Sequence, residues 1–534
     1  MPKTFYVTTP LYYVNAAPHI GHSYTEIAAD CLARYHRLKG ETVFLLTGTD
    51  EHGQKIEQAA AASGQPPQLF VDGVVARFKE LWTLLNISYD DFLRTTEPRH
   101  VRVVQACLSR LQQEHKLHHA TYQGWYCTPD ETFWTNQELA ELAVAGTVST
   151  SCPTCQRPLE AVSEEGWYLP LENHRLWLQH FLATHPTFVR PETRYNEIAS
   201  LVNRPLPEYL CITRPRQRVG WGIPVPFSEG HVTYVWFDAL LNYISAVGYD
   251  VYEQRFAGPW PADVHFIGKD ILRHHAVYWP IVLHALGVSN EQMPRLIFAH
   301  GWWKVGEQKM SKSLGNIVDP TVVINHVLKG QPFAADVYRY FLLREVPFGQ
   351  DGSFSEEAIL SRLSADLAHD LGNLVNRTLS MIERYCSGKI PEPHAVGCAL
   401  DDEPLQQAAV GLAAQVEEAM TRLEFSAALE RIMRVVTQAN RYIEVVGPWR
   451  LAKQPEQAPR LRTALSLLAE VMRVMAILLE PFMPSVAQAM WQQLGCGSRP
   501  RRLQDTARWH QLPVGQPIGP HPVLFPQVVA EVSG

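Results

Sequence analysis

Two histidines three residues apart, His19 and His22, stand in the string Pro18-His19-Ile20-Gly21-His22, directly behind an apolar run. If a helix begins there, this spacing puts both imidazoles on one face. A helix N-terminus adds unpaired N–H groups and a positive dipole end, which suits an anion. Gly21 between them lets a ligand ring approach the backbone. Far downstream, Lys309 and Lys312 lie in Lys309-Met310-Ser311-Lys312-Ser313, between Gly306 and Gly315. Gly and Ser allow such a loop to move, and its two lysines can neutralise a triphosphate as charge develops. Each string alone has a plainer reading: a histidine-capped turn, or a solvated basic loop. No Gly-rich Walker loop is present, which disfavours a P-loop NTPase or kinase. The chemistry that fits is attack on an α-phosphate with pyrophosphate leaving. Gly268-Lys269-Asp270 follows a strand-like run, where a carboxylate suits a ribose hydroxyl, although such a tripeptide is also a common turn.

Two further groups carry chemistry. Cys127-Thr128-Pro129-Asp130 and Cys152-Pro153-Thr154-Cys155 are paired short loops with the spacing of a structural zinc knuckle. Asp130 is a harder, less typical ligand than cysteine. A degenerate knuckle held by packing is the alternative. Asn373 and Arg377 are i, i+4 on a helical stretch, hence on one face. Trp449 follows Gly447-Pro448 at a helix break, where an indole can stack on a splayed base. The plainer reading is a solvated pair and a core tryptophan.

These residues need a scaffold. Thr4 to Thr8 reads as a buried strand, Tyr24 to Leu38 as a helix and Thr42 to Leu46 as a second strand, followed by a turn Gly48-Thr49-Asp50. That is a βαβ unit of a parallel sheet. Leu69 to Leu85 and Val101 to Gln113 have helical periodicity. Residues 116–215 change texture, rich in Trp, Pro and Cys, and read as an inserted module. The α/β pattern returns with strands expected at Val232 to Phe237, His265 to Ile267 and Leu296 to Ala299, and a crossover helix at His275 to Leu286. In such a sheet, ligands bind beyond the carboxyl ends of the strands. After about Phe354, four stretches of helical spacing predict a bundle: Ser355 to Arg384, Asp402 to Arg422, Ser426 to Val446 and Arg460 to Glu480.

At 534 residues the chain is too long for one core. Its net charge of −7 argues against bulk coating of nucleic acid but not against a local basic contact. Nine cysteines without a secretory leader or transit segment read as reduced thiols, which implies a cytoplasmic protein. No apolar run spans a bilayer: Leu465 to Leu479 comes nearest, but Glu470 and Arg473 interrupt it.

Together and in this order, the histidine and lysine strings resemble the two ATP-binding signatures of the class I aminoacyl-tRNA synthetases. The segments Thr8 to Asn15, Thr47 to Gly53, Val235 to Ala239 and His265 to Pro280 are similar to the methionine-specific branch, and the resemblance runs over nearly the whole chain. It implies an α/β catalytic domain of Rossmann type with an inserted connective module, followed by an all-α anticodon-binding bundle. The implied divisions are residues 1–115 and 216–300 for the split catalytic domain, 116–215 for the knuckle-bearing insertion, 301–365 for a lysine-loop linker and 366–534 for the bundle. It implies activation of L-methionine by ATP, with Mg²⁺, to the adenylate, then transfer to the 3′ end of elongator and initiator methionine tRNA. His19, His22, Lys309 and Lys312 would act on the phosphates, with Gly21, Gly268 and Asp270 on the nucleotide. Leu11, Tyr13, Trp236, Ala239, Tyr243, Ile271 and His275 would surround the methionine side chain, and Asp50 would hold its ammonium. An aromatic wall suits a thioether, and His275 or the Tyr13 hydroxyl could sit near the sulfur. Leu240 stands where the family usually has Pro or Leu-like residues. Asn373, Arg377 and Trp449 would read the anticodon. Cys127, Asp130, Cys152 and Cys155 would hold one structural Zn²⁺, although the family usually has Cys or His at all four places. The leucine, isoleucine and valine enzymes carry a much larger editing insertion than residues 116–215. The family's dimeric forms carry a further C-terminal domain, so a monomer is expected. Two other classes remain: an adenylylating enzyme that uses no tRNA, which the helical half disfavours, and a non-catalytic RNA-binding paralogue, which the intact His and Lys strings disfavour.

Overall fold

The computed structural model describes residues 4–141, 150–306, 308–309, 317–394 and 399–526. They divide into two compact units. The first comprises Met1–Pro18, Val43–Glu80 and Tyr89–His300, and the second comprises His19–Thr42, Leu81–Ser88 and Gly301–Gly534.

The first unit is built on a seven-stranded sheet. Its strand order is Tyr12–Tyr13, Thr42–Asp50, Thr4–Thr8, Val264–Gly268, Ile297–His300, Val189–Arg190, with Asp91–Arg94 also on Thr42–Asp50. Thr4–Thr8 runs parallel to Val264–Gly268, which runs parallel to Ile297–His300. Parallel strands covered on both faces read as continuous apolar runs, as Phe-Tyr-Val and Val-Phe-Leu-Leu do here. The strand expected to stop at Leu46 continues through Asp50, so Gly48-Thr49-Asp50 is strand and not turn. Gly48 is required there, because a Cβ would collide with the Leu93 carbonyl of the paired strand.

Two other expectations change. Val232 to Phe237 does not complete the main sheet. His231–Thr233 pairs antiparallel with Thr213–Pro215, and Val235–Leu240 is helical. A short apolar run cannot tell buried strand from buried helix by periodicity. The helical signal was the i, i+3, i+7 spacing of Trp236, Ala239 and Tyr243. Second, residues 116–215 are not one separate module. They form a four-stranded antiparallel sheet in the order Thr132–Trp134, His118–Cys127, Glu160–Pro170, Tyr209–Cys211. Between its last two strands, Val189–Arg190 joins the main sheet beside Ile297–His300. The flanking helices Glu172–Thr184 and Glu192–Val202 bury Leu178, Phe181, Ile198 and Val202 in the main core.

The second unit contains the helix Ile20–Leu38, longer at its start than Tyr24 to Leu38. Asp30 on this helix meets Arg339, fully buried on the helix Ala334–Arg344, at 2.7 Å. Arg339 also donates to the carbonyls of Leu85, Pro481 and Phe482 at 3.0–3.1 Å, so the buried charge is satisfied on every side. Burial alone would raise the Asp30 carboxyl, but Arg339 and Arg34 hold it down to about 2. A three-stranded sheet, Gln308–Lys309, Trp303–Val305 and Gly352–Phe354, follows the first unit in sequence. The expected bundle is present. Glu356–Arg362, the wider-turned Leu363–Gly372 and Asn373–Cys386 form one run, followed by Asp402–Thr421, Phe425–Val446 and Ala458–Leu478. Pro484–Gln493 adds a helix that the sequence reading omitted. Among the described residues no helix is long and apolar enough to cross a membrane.

Candidate active site and metal centre

In the first unit, several candidates gather at the carboxyl ends of parallel strands, where doubly wound sheets bind ligands. Tyr13 pairs in register with Asp50, the last residue of its strand. Gly268 ends the strand Val264–Gly268, which lies beyond Thr4–Thr8 in the same sheet. A side chain at Gly268 would lie 2.6 Å from Oδ1 of Asp270, so glycine makes room for that carboxylate.

Asp50 is 6% exposed, and its Oδ1 has no hydrogen-bond partner. Burial pushes its carboxyl well above the usual range, with Asp238 and Glu131 adding to the rise. A buried carboxylate with an open acceptor calls for a cation. The next residue is satisfied internally: Glu51 is bridged by Arg94 at 2.6 and 2.9 Å and by the Thr96 hydroxyl at 2.7 Å.

The candidate side chains expected around the substrate have defined proton positions. Nδ1 of His275 lies 3.0 Å from the Ile271 carbonyl, which only accepts, so Nδ1 carries the proton. Nε2 then accepts from the Tyr243 hydroxyl at 2.8 Å. Burial holds His275 down to about 4, which keeps it neutral at pH 7. The Tyr13 hydroxyl donates to Oε1 of Glu131 at 2.6 Å. Both hydroxyl protons, and that of His275, are therefore engaged by protein acceptors. Trp236 stacks on His274 at 3.7 Å, and its buried Nε1–H has no partner. Tyr13 and Trp236 pack against one cluster around Tyr234 and Tyr168. Leu11 and Ile271 pack against the main core that holds Tyr243. Leu240 is buried in that same core. A widened helical turn, His274–Tyr278, opens the crossover helix and carries both His274 and His275. Such turns recur at functional sites.

The sequence reading missed the support behind this pocket. Asp238, fully buried, accepts from His52 and from His100, each at 2.7 Å, and His100 reaches the Ser245 hydroxyl at 2.7 Å. Burial works to raise Asp238, but the two imidazoles outweigh it and hold it below its ordinary value. The network ties the helix of Trp236 and Ala239 to the loop just past Asp50. The signal in sequence was a carboxylate within the apolar run Val-Trp-Phe-Asp-Ala-Leu.

In the second unit, His19 caps the helix Ile20–Leu38. Its Nδ1 accepts from the Gly21 N–H at 3.1 Å, and Nδ1 of His22 accepts from the His19 N–H at 3.2 Å. This is a reciprocal capping box built from two imidazoles. With each Nδ1 accepting, the ring proton of each neutral histidine sits on Nε2. The rings stack with centroids 3.8 Å apart. Burial, aided by His19, keeps His22 well below its ordinary value and so uncharged near pH 7. Both rings thus stand at a helix N-terminus. The backbone of Lys309 pairs with Lys304. The Lys309 side chain and all of Lys312 lie outside the described residues.

Asn373 and Arg377 do share a helix face, but they do not pair. Asn373 is exposed and donates to the His369 carbonyl at 2.7 Å. Arg377 meets Glu444 at 2.6 Å and lies over the half-buried Trp449 ring at 5.7 Å. Gly447 takes a left-handed φ of 58°, which ends the helix Phe425–Val446 and starts the short turn bearing Trp449.

Cys127, Asp130, Cys152 and Cys155 converge, with one ligand atom from each inside a mutual distance of 4.8 Å. Three sulfurs and a carboxylate oxygen approach closely: Cys127 to Cys155 at 3.4 Å and Cys152 to Asp130 at 3.2 Å. Four donors at this separation fit one tetrahedral ion. Hydrogen bonding from Cys127 holds the Cys152 thiol down to about 6, which favours the thiolate that a metal needs. Cys127 and Cys152 are buried with Trp134, Leu139 and Leu159.

Comparison with known proteins agrees with this geometry. Residues 5–379 match the family model described as tRNA synthetases class I (M), and residues 408–514 match the anticodon-binding domain of tRNA ligase. A methionine–tRNA ligase of Caldanaerobacter subterraneus subsp. tengcongensis is 44% identical over 99% of this chain and 80% of its own length. That of Bacillus subtilis is 40% identical over 99% of this chain and 78% of its own length. The Mycobacterium tuberculosis methionyl-tRNA synthetase in complex with methionyl-adenylate superposes with a TM-score of 0.91 at 39% identity, covering 98% of this chain and 100% of that one. The chain belongs to the methionine–tRNA ligase family of the class I tRNA synthetases.

Proposed function

We infer that the chain activates L-methionine with ATP to methionyl-adenylate and transfers it to the 3′ end of methionine tRNA. The observation that carries this reading is Asp50, a buried carboxylate with an open acceptor, at a strand end beside Tyr13. A free amino acid brings the ammonium that such a group lacks, and its own carboxylate is already ionised at pH 7 and able to attack phosphorus. The protein then needs no nucleophile or general base. Its task is to position the reactants and stabilise developing charge. His19 and His22 donate from Nε2 to phosphate oxygens, and Lys309 and Lys312 neutralise the departing pyrophosphate. Gly268 and Asp270 take the ribose. Mg²⁺ enters with ATP as part of the substrate. The aromatic and apolar residues around Tyr243 receive the thioether.

ATP–pyrophosphate exchange with each of the twenty amino acids tests this. Exchange with methionine alone is expected. Exchange with another amino acid overturns the pocket, and exchange with none leaves a non-catalytic RNA-binding role.

Arg377 and Trp449 recognise the anticodon, with Trp449 stacking on a base and Arg377 supporting its ring. Trp449→Ala is expected to lower kcat/KM for tRNA charging roughly 10- to 100-fold, the worth of one stacked base. Methionine-dependent exchange should be unchanged. Parallel loss of both activities would remove Trp449 from the tRNA contact.

The cysteine cluster holds one structural Zn²⁺ through Cys127, Asp130, Cys152 and Cys155. When bound, the ion cross-links the two short loops. Atomic emission on protein purified without added zinc should find one equivalent. Cys152→Ser should lose the metal and lower the melting temperature. Metal-free protein with an unchanged melting temperature would sink this assignment.

A further inference from the structure

Resting on the methionine pocket above, we propose that Glu131, the residue after the cluster's Asp130, is a positioning residue that locks Tyr13 as a wall of that pocket. Glu131 and Tyr13 are 118 residues apart in sequence. The Glu131 side chain is buried, and its Oε1 receives the Tyr13 hydroxyl at 2.6 Å and the Lys55 N–H at 3.0 Å. One oxygen with two donors is a demand that a carboxylate meets well.

The surroundings are shaped around this contact. Glu131 has a φ of +48°, a left-handed conformation that residues other than glycine adopt only when their surroundings impose it. The Tyr234 hydroxyl holds its carbonyl. Nζ of Lys55 donates to the Pro129 carbonyl at 3.1 Å and lies 5.3 Å from the centre of the Tyr13 ring. Gly53 leaves the space: a Cβ there would sit 2.5 Å from the Tyr13 hydroxyl and 2.8 Å from both Glu131 carboxylate oxygens. Gly53 also has a φ of +111°, so steric room and backbone conformation both select glycine. Three chain segments thus converge on one phenol: the strand end of Tyr13, the start of the helix Gln54–Ala62 and the tip of the metal cluster.

The consequence concerns affinity for the amino acid. A tyrosine with its hydroxyl fixed has its ring preset, and methionine need not order it on binding. Without Glu131 the hydroxyl must find another acceptor or stay unpaired in a buried place. The role belongs to methionine binding and not to ATP.

The test is exchange kinetics on Glu131→Ala, Glu131→Gln, Tyr13→Phe and the two double variants. Glu131→Ala is expected to raise KM for methionine roughly ten-fold, with KM for ATP within about two-fold of the original. Glu131→Gln keeps the acceptor and should fall between. In the Tyr13→Phe background, either change at Glu131 should add little, because the hydroxyl is already gone. Unchanged methionine KM would overturn the proposal. So would equal losses toward methionine and ATP, which mark a general structural role, or full additivity with Tyr13→Phe. If Glu131→Ala fails to fold, Glu131→Gln alone and with Tyr13→Phe decides by the same criteria. No methionine-dependent exchange in the unsubstituted chain would overturn the pocket itself, and this inference with it.

Discussion

Asp50→Asn is expected to lower kcat/KM for methionine-dependent exchange roughly 10³-fold, equivalent to about 4 kcal/mol, the cost of burying an ammonium without its partner. The same substitution should raise the melting temperature at neutral pH. The sign follows from the direction of the Asp50 shift. Burial, then Asp238 and Glu131, raise its carboxyl well above the ordinary value in the folded chain. Below the unfolded value of about 4 the group is protonated in both states and opposes nothing. As pH rises through the folded value, that stability is lost, because the folded chain must hold a charge that it disfavours. Asn carries no charge and removes this loss. Methionine relieves it differently, by bringing a cation. The original chain should therefore gain thermal stability on adding methionine, and Asp50→Asn should gain none. Calorimetry with and without methionine, alongside exchange kinetics, checks both halves. A variant that keeps its exchange activity, or that melts earlier, would remove Asp50 from the ammonium site.

His22→Ala should lower kcat for exchange roughly 10²- to 10³-fold, as removal of one preorganised donor to a developing oxyanion does. KM for ATP should change much less, since the donor acts most strongly on the charge that appears in the transition state. Nδ1 of His22 already accepts from the His19 N–H, so Nε2 carries the ring proton that the proposed phosphate contact would use. Burial keeps the ring neutral, so the effect should not vary from pH about 6.5 to 8. The loss of the cap contact should cost only about 1 kcal/mol of stability. Rapid-quench measurement of adenylate formation would separate chemistry from binding. A loss confined to KM for ATP would make His22 a ground-state contact. An unchanged rate would leave it as a helix cap.

The legibility of this chain divides along a physical line. Motifs that are contiguous, or that rely on a helix start, could be read directly. His19, Gly21 and His22 needed only the 3.6-residue period and the polarity of a helix N-terminus. The cysteine loops needed only spacing. The bundle helices were plain because amphipathic periodicity persists over twenty residues, as in Phe425–Val446. The segment Val232 to Phe237 was misread because six apolar residues carry too little periodic signal. The strand Val189–Arg190 was missed because two residues have no pattern at all, and only the sheet beside them gives them a place.

The sequence by itself determined the split parallel sheet, the helical bundle and the paired cysteine loops, and the resemblance carried by its motifs implied the reaction class and the residues expected around the substrate. The first three depend on local spacing or on composition within one segment. Only the tertiary structure decided where the protons sit and what supports the pocket. It engaged the Tyr13 hydroxyl with Glu131, the Tyr243 hydroxyl with His275, and both His52 and His100 with Asp238. Hydrogen bonds between distant segments leave no periodic trace in a sequence. Their geometry exists only once the chain has brought both partners out of water.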